Sequence, residues 1–378
     1  MPRYRHLNSH NRDGSTEHQS RIDRGRSVFL DGMRGLAALC VFVEHFAFPF
    51  QPSLAYAYDG KVHRSPFQLP IFRLFYSGSP MVCIFFVISG VALSSKPVKL
   101  IESKQWATFN REMESAIFRR GIRLFGPTLV ASFSIMGDPY MRPVFWNTQP
   151  RFVPGLWNQT SQWIEFVRQN VLLPSTWQDV PKKGHDVEYG YQLWTIPIEF
   201  WSSILLFATL LGSARLLSPY RLLLFATLVV FSLWLGRWDV ALFYYGSAIA
   251  RFLPLSGDVQ RSYLGMFASR FPLYFGRISF ALYITHVPTL SSFGWYLEQT
   301  FQERFDTEGE LWNSLALILG FLPTFVISIA LAEGYHRLID VSFIKLARIT
   351  EEFLTDWRGD FLDIVAVELL QPDVEQIV

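Results

Sequence analysis

Apolar residues along the chain gather into eight blocks, at about 28 to 49, 71 to 94, 121 to 136, 191 to 211, 220 to 236, 239 to 255, 271 to 293 and 311 to 333. Most approach the roughly 20 helical residues needed to cross a hydrocarbon core. The pattern predicts an all-α fold, a polytopic transmembrane helical bundle of about eight spans within a range of 8 to 10. The third and sixth blocks are short, and the sixth contains Arg251, which suits a re-entrant or tilted segment as well as a simple crossing.

The polar stretches between the blocks orient the bundle. Residues 1 to 26 carry Arg3, Arg5, Arg12, Arg21, Arg24 and Arg26 without a hydrophobic period, which predicts a disordered basic cytoplasmic tail. With the tail inside, the loop from 95 to 120 is also inside, with Lys96, Lys99, Lys104, Arg111, Arg119 and Arg120, as cytoplasmic loops should be. The same holds for Arg215 and Arg221, for Arg261 and Arg270, and for Arg337, Lys345 and Arg348. The loop from 294 to 310 then falls outside and is acidic, through Glu298, Glu303, Asp306, Glu308 and Glu310. An even count places both termini in the cytoplasm. Residues 27 to 340 are read as one membrane domain, in which 137 to 190 form a long non-cytoplasmic loop holding a glycosylation tripeptide at Asn158-Gln159-Thr160. From 341 to 378 a cytoplasmic amphipathic segment, with Leu346, Phe353, Leu354, Trp357, Phe361 and Leu362, is expected to lie on the inner surface.

Composition agrees with lipid as the solvent. Half of the 378 residues are hydrophobic and 17% are charged, below the usual quarter. The net charge of +2, with basic residues beside apolar blocks rather than in one patch, argues against a nucleic-acid partner. Cys40 and Cys83 both lie inside predicted spans, so neither a disulfide framework nor a zinc spacing is available, and no metal site is expected. The first apolar block starts near Ser27 and carries internal charges, unlike a cleavable signal peptide, so the first span is expected to remain in the mature protein.

Ionisable side chains in hydrocarbon cost a few kcal/mol or more each and mark polar clefts. In the first span Arg34 and His45 are eleven residues apart, which returns them to within roughly 20° of one helical face but separates them by about 16 Å along the axis. They share a stripe and serve different depths. Asp31 is one turn before Arg34, close enough to pair with it, and Gly32 and Gly35 allow a backbone or a ligand to approach. Glu44 lies about 100° off the stripe. Glu199, in Trp194-Thr195-Ile-Pro-Ile-Glu199, is expected in the outer half of the membrane. Ser279, Tyr283 and His286 recur at four and three residues and share a face of another span, so His45, Glu199 and His286 are expected to converge at one level as proton-transfer groups. Arg119, Arg120 and Arg123, before Pro127, suit a phosphate-bearing ligand at the inner surface, or simply obey the positive-inside rule.

These stations occur in a familiar order. Leu30-Asp31-Gly-Met-Arg34-Gly, with ten residues between Arg34 and His45, is followed by Phe85-Phe-Val-Ile-Ser89-Gly90, by Arg119, Arg120 and Arg123 before Pro127, by Trp194 to Glu199, and by Gly276 to His286. From about Phe29 to Arg337 the chain resembles the acyltransferase 3 family, membrane enzymes that O-acylate sugars, lipids and other hydroxyl compounds, and it is most similar to fungal members. The resemblance implies acyl-CoA as co-substrate, with no bound cofactor. It also implies transfer of an acetyl or other short acyl group to a hydroxyl-bearing small molecule, glycan or lipid, and essential roles for Arg34 and His45. With the physical reading, it makes His45 the catalytic base tuned by Glu199 or His286, and Arg34 a stabiliser of negative charge. Asp31, Arg119, Arg120, Arg123, Trp194, Ser279 and Tyr283 are then the substrate-binding residues. Glu333-Gly-Tyr-His336 departs from the proline-containing family pattern after that glutamate. Two other readings use the same residues: a proton-coupled transporter or channel, and a catalytically inactive acyltransferase-like binding protein.

Overall fold

The computed structural model describes residues 7–136, 154–174, 189–250, 267–305 and 310–355; the side chains of residues 7–27, 191, 302, 305 and 310–316 are not described. Among the described residues there is no strand. The longer helices are α1 (Leu7–Phe50), α2 (Gly78–Glu102), α3 (Trp106–Met136), α4 (Leu156–Phe166), α5 (Thr195–Ser213), α6 (Ser218–Trp234), α7 (Trp238–Ala250), α8 (Arg270–Thr289), α9 (Trp295–Phe305), α10 (Glu310–Tyr335) and α11 (Val341–Thr355). Every predicted apolar block coincides with a helix over its described residues, apart from the turns at 74–77 and 235–236.

Among the described residues, four stretches are long and apolar enough to cross a membrane: Val28–Phe50, Gly78–Glu102, Gln192–Ser213, and the continuous run Leu317–Thr355. The expected eight spans are therefore not all of that kind. The helix α6 is apolar but shorter, α7 has 13 described residues, and α3 and α8 carry arginines inside their length, which lowers their mean hydropathy. A second difference lies upstream, where the segment expected to be disordered is helical from Leu7. The apolar half of α1 supplies the nucleus, and extending an existing helix adds one hydrogen bond per residue fixed, a far smaller obstacle than starting one. Arg251, Arg261, Asp306, Glu308, most of the 137–190 loop and residues 356–378 fall outside the described residues.

Two glycine seams set the framework. A Cβ on Gly35 would stand 2.1 Å from the Pro272 carbonyl oxygen, and one on Gly276 would stand 2.1 Å from that of Asp31, so α1 and α8 meet backbone to backbone. Likewise a Cβ on Gly90 would lie 2.3 Å from the Phe243 carbonyl oxygen, and one on Gly246 the same distance from that of Val87, joining α2 to α7. Small residues permit this approach where lipid removes the hydrophobic drive between helices. Around these seams, Phe86, Phe207 and Phe243 form one core cluster, and Phe42, Phe46 and Phe275 another.

The helix α11 is amphipathic, burying Ala347 and Ile349 and exposing Leu346 and Leu354. It packs on α3, where the Phe343 ring fills the space beside Gly126. The Tyr335 hydroxyl, just before the π-helical turn His336–Asp340, donates to the Pro127 carbonyl. At the other end of α3, Trp163 of α4 donates to Ser132 at 3.1 Å.

Candidate active site

The glycine seam fixes the register of α1 and α8, which run parallel. Gly35 faces Gly276, and ten residues further along each helix, about 15 Å at 1.5 Å per residue, His45 faces His286. Their rings meet at 2.7 Å, Nδ1 of His45 to Nε2 of His286. Both are buried, at 8% and 1% exposure, with Phe42 and Tyr283 beside the His286 ring.

Below this pair is a cavity of about 790 Å³ lined by α1, α2, α3, α5, α8, the turn between α10 and α11 and the first turn of α11. It runs along α8 from Arg270 to Tyr283, a rise of roughly 20 Å. Arg34, Arg120, Arg123, Arg270 and Arg277 line it, with Asp31, Glu199 and Asp340 as the acidic lining groups. Neither histidine lines it. Tyr283 stands between, facing the cavity with its ring centroid 5.9 Å from that of His286.

The wall's hydrogens can be accounted for. Tyr283 donates to the Gln192 carbonyl at 2.6 Å, so Thr195, 2.7 Å away, donates to Tyr283. Ser279 donates to the Gly276 carbonyl at 2.8 Å and Ser89 to Glu199 at 3.1 Å. With these hydroxyl hydrogens committed to protein acceptors, guanidinium groups are the most numerous strong donors on the described wall, and donors of that shape suit carboxylate or phosphate oxygens. Arg123 and Arg270 have no ion pair among the described residues.

Most expected site residues are brought together, in a different grouping. Asp31 and Arg34 pair at 3.5 Å, both partly open to the cavity. Glu199 does not join the histidines: it accepts from Arg120 at 2.6 Å, and Arg120 also donates to Ser203 at 3.1 Å. Arg119 turns away to Glu351 of α11 at 3.2 Å, while Trp194 packs in the core near Trp238. Ser279 and Tyr283 line the cavity as their shared face predicts. Glu44 is off the cavity, with its carboxylate against Gly78 at the start of α2. Sequence reasoning passed over Arg277, held by Glu333 at 2.8 and 3.0 Å, and over His336, whose Nδ1 lies 2.9 Å from Asp340. The four-residue spacing of His336 and Asp340 was the available signal for that pair.

Residues 27–269 match the family model described as an acyltransferase domain, Acyl_transf_3, which is more than half of the chain. The chain belongs to the acyltransferase 3 family. It is accordingly an acyltransferase for groups other than aminoacyl groups, and Arg34, His45, Arg120, Arg123 and Glu199 all fall inside the matched region, with the Gly276 to His286 station beyond it. Among similar proteins, O-acetyltransferase PaAT-1 of Phomopsis amygdali is 25% identical over 85% of this chain and 83% of its own length. Acyltransferase clz18 of Cochliobolus lunatus is 27% identical over 59% of this chain, and acyltransferase R4 of Phoma sp. (strain ATCC 20986 / MF5453) is 24% identical over 59%. The matched region spans 57% of each of these last two relatives. No solved structure matches.

Proposed function

We propose that this acyltransferase is a multi-pass membrane enzyme of about eight spans, with both termini cytoplasmic. It transfers an acetyl or other short acyl group from acyl-CoA to a hydroxyl of a carbohydrate, lipid or secondary metabolite. The observation that carries this reading is a cavity with five arginines among the described residues of its wall, whose far end lies one helical turn from a buried histidine pair. A ligand with phosphates at one end and a thioester at the other fits that distribution of charge.

In this reading the donor enters from the cytoplasmic side. Its phosphates lie among Arg34, Arg123 and Arg270, and its pantetheine arm runs along α8 toward Ser279 and Tyr283. Arg34 is about three turns from His45, so it serves the phosphate end and not the thioester carbonyl. Arg120, held by Glu199 and Ser203, lends positive potential to the middle of the path. His45 takes the proton of the acceptor hydroxyl as its oxygen attacks the thioester carbon. When the tetrahedral intermediate collapses, the carbon–sulfur bond breaks and the departing thiolate receives the proton from His45. The products are an ester and free coenzyme A.

His45→Ala tests the assignment. In lipid nanodiscs with acyl-CoA labelled on the acyl group, the variant should bind the donor like wild type and transfer at least about a hundredfold less label, as loss of a general base costs 10²–10⁴. Undiminished transfer by the variant contradicts the assignment. Solute flux across sealed vesicles in the absence of acyl-CoA would point to the transporter reading instead.

A further inference from the structure

The hydrogens on the two buried histidines can be assigned one after the other. Nδ1 of His286 is 3.0 Å from the Leu282 carbonyl oxygen, one turn earlier on α8. A carbonyl only accepts, so this nitrogen carries a hydrogen, and the Nε2 of a neutral His286 presents a lone pair. Nδ1 of His45, 2.7 Å from that Nε2, must donate to it. Neutral His45 then has its own lone pair on Nε2. The ring planes lie within 11° of each other and the centroids are 5.0 Å apart. That separation exceeds the nitrogen-to-nitrogen distance by about the width of one imidazole, so the rings meet edge to edge, as an in-plane N–H···N bond requires.

We infer that His286 is a positioning residue, fixing through the chain Leu282 carbonyl, His286, His45 the tautomer in which Nε2 is the basic nitrogen of His45. This rests on the acyl-transfer reading above. The same task falls to a carboxylate behind the histidine in serine hydrolases and to the outer partners of metal-bound histidines. Inside a bilayer an imidazole performs it without placing another charge in the low-dielectric interior. When His45 takes the hydroxyl proton, the Nε2 lone pair of His286 accepts from the more acidic Nδ1–H and stabilises the imidazolium without itself being protonated. The partner is rigid because its second nitrogen is tied to its own helix, and the Gly35 and Gly276 contact sets the register of that helix.

The experiment compares His286→Leu with His286→Gln in the full-length protein in nanodiscs, using labelled acyl-CoA and an acceptor that wild type acylates. Both side chains fill the site, but only glutamine offers an oxygen to accept from Nδ1 of His45. The leucine variant should lose kcat by about a hundredfold or more, toward the ~10⁴ that a wrong tautomer costs a triad histidine, while KM for acyl-CoA stays within about twofold. The glutamine variant should recover at least about tenfold of that loss. Equal losses in the two variants, or full kcat in the leucine variant while His45→Ala is inactive, overturn the positioning role and leave the acyl-transfer reading standing. A wild-type protein that transfers no acyl group overturns that reading and this inference with it. Independently of activity, nitrogen-15 shifts of labelled histidine should show neutral His45 protonated on Nδ1, and protonation on Nε2 overturns the proposal.

Discussion

Glu199 shows how a residue can sit in the predicted site with an unpredicted partner. Counting residues from the ends of a span gives depth, and depth placed Glu199 level with the histidines. It does not give the direction around the bundle axis, and Arg120 on α3 holds the carboxylate instead, at 2.6 Å. A guanidinium that is 16% exposed and a carboxylate that is 21% exposed form a pair whose single disruption leaves a charge uncompensated. Arg120→Ala and Glu199→Ala should each cost about 3–5 kcal/mol, and the double variant less than their sum by about 0.5–3 kcal/mol. Thermal unfolding of the four proteins in one detergent checks this, and strict additivity would show that the pair is not coupled. By contrast the shared faces of Arg34 with His45, and of Ser279 and Tyr283 with His286, follow from helical periodicity alone, although only Arg34, Ser279 and Tyr283 of these line the cavity. The pairing of Arg119 was not legible from sequence, since its partner Glu351 lies more than two hundred residues downstream.

The elements were legible because each apolar block matches a helix, and the seams between them were legible only in part. Gly32 and Gly35 announced a close approach, but nothing in the sequence named α8 as the helix that makes it. The register follows from contacts between backbones. A side chain at Gly276 would have to displace the Asp31 carbonyl, 2.1 Å from its Cβ, and overpacking of that kind costs about 1–3 kcal/mol or more. Gly276→Val should therefore lower the melting temperature and also depress transfer more than stability alone accounts for, because the same seam aligns His45 with His286. Gly212, on the same plan an ordinary helical glycine of α5, meets nothing within 4 Å. Gly212→Ala should be neutral or stabilising by up to about 1 kcal/mol. Melting curves and transfer rates of the two variants together separate register from helix propensity. The N-terminal part of α1 was misread because its charged residues have no hydrophobic period, although a helix already formed downstream extends through them.

At the scale of the molecule, family membership places the chemistry, and the cavity gives it a direction. Arginines open to about 790 Å³ of space lie along α3, past the middle of α1 and in the early turns of α8, while the histidines lie beyond its far end behind Tyr283. The central claim is that an acyl-CoA donor occupies this cavity with its phosphates at the arginine end and its thioester at the histidine end. The most direct measurement is an electron cryo-microscopy structure of the full-length protein bound to a non-transferable thioether analogue of acyl-CoA. The account predicts the phosphates within hydrogen-bond distance of Arg34, Arg123 or Arg270, and the acyl carbon beside Ser279 and Tyr283. It would be contradicted by an analogue bound outside the cavity, or inside it with the acyl group at the Arg270 end.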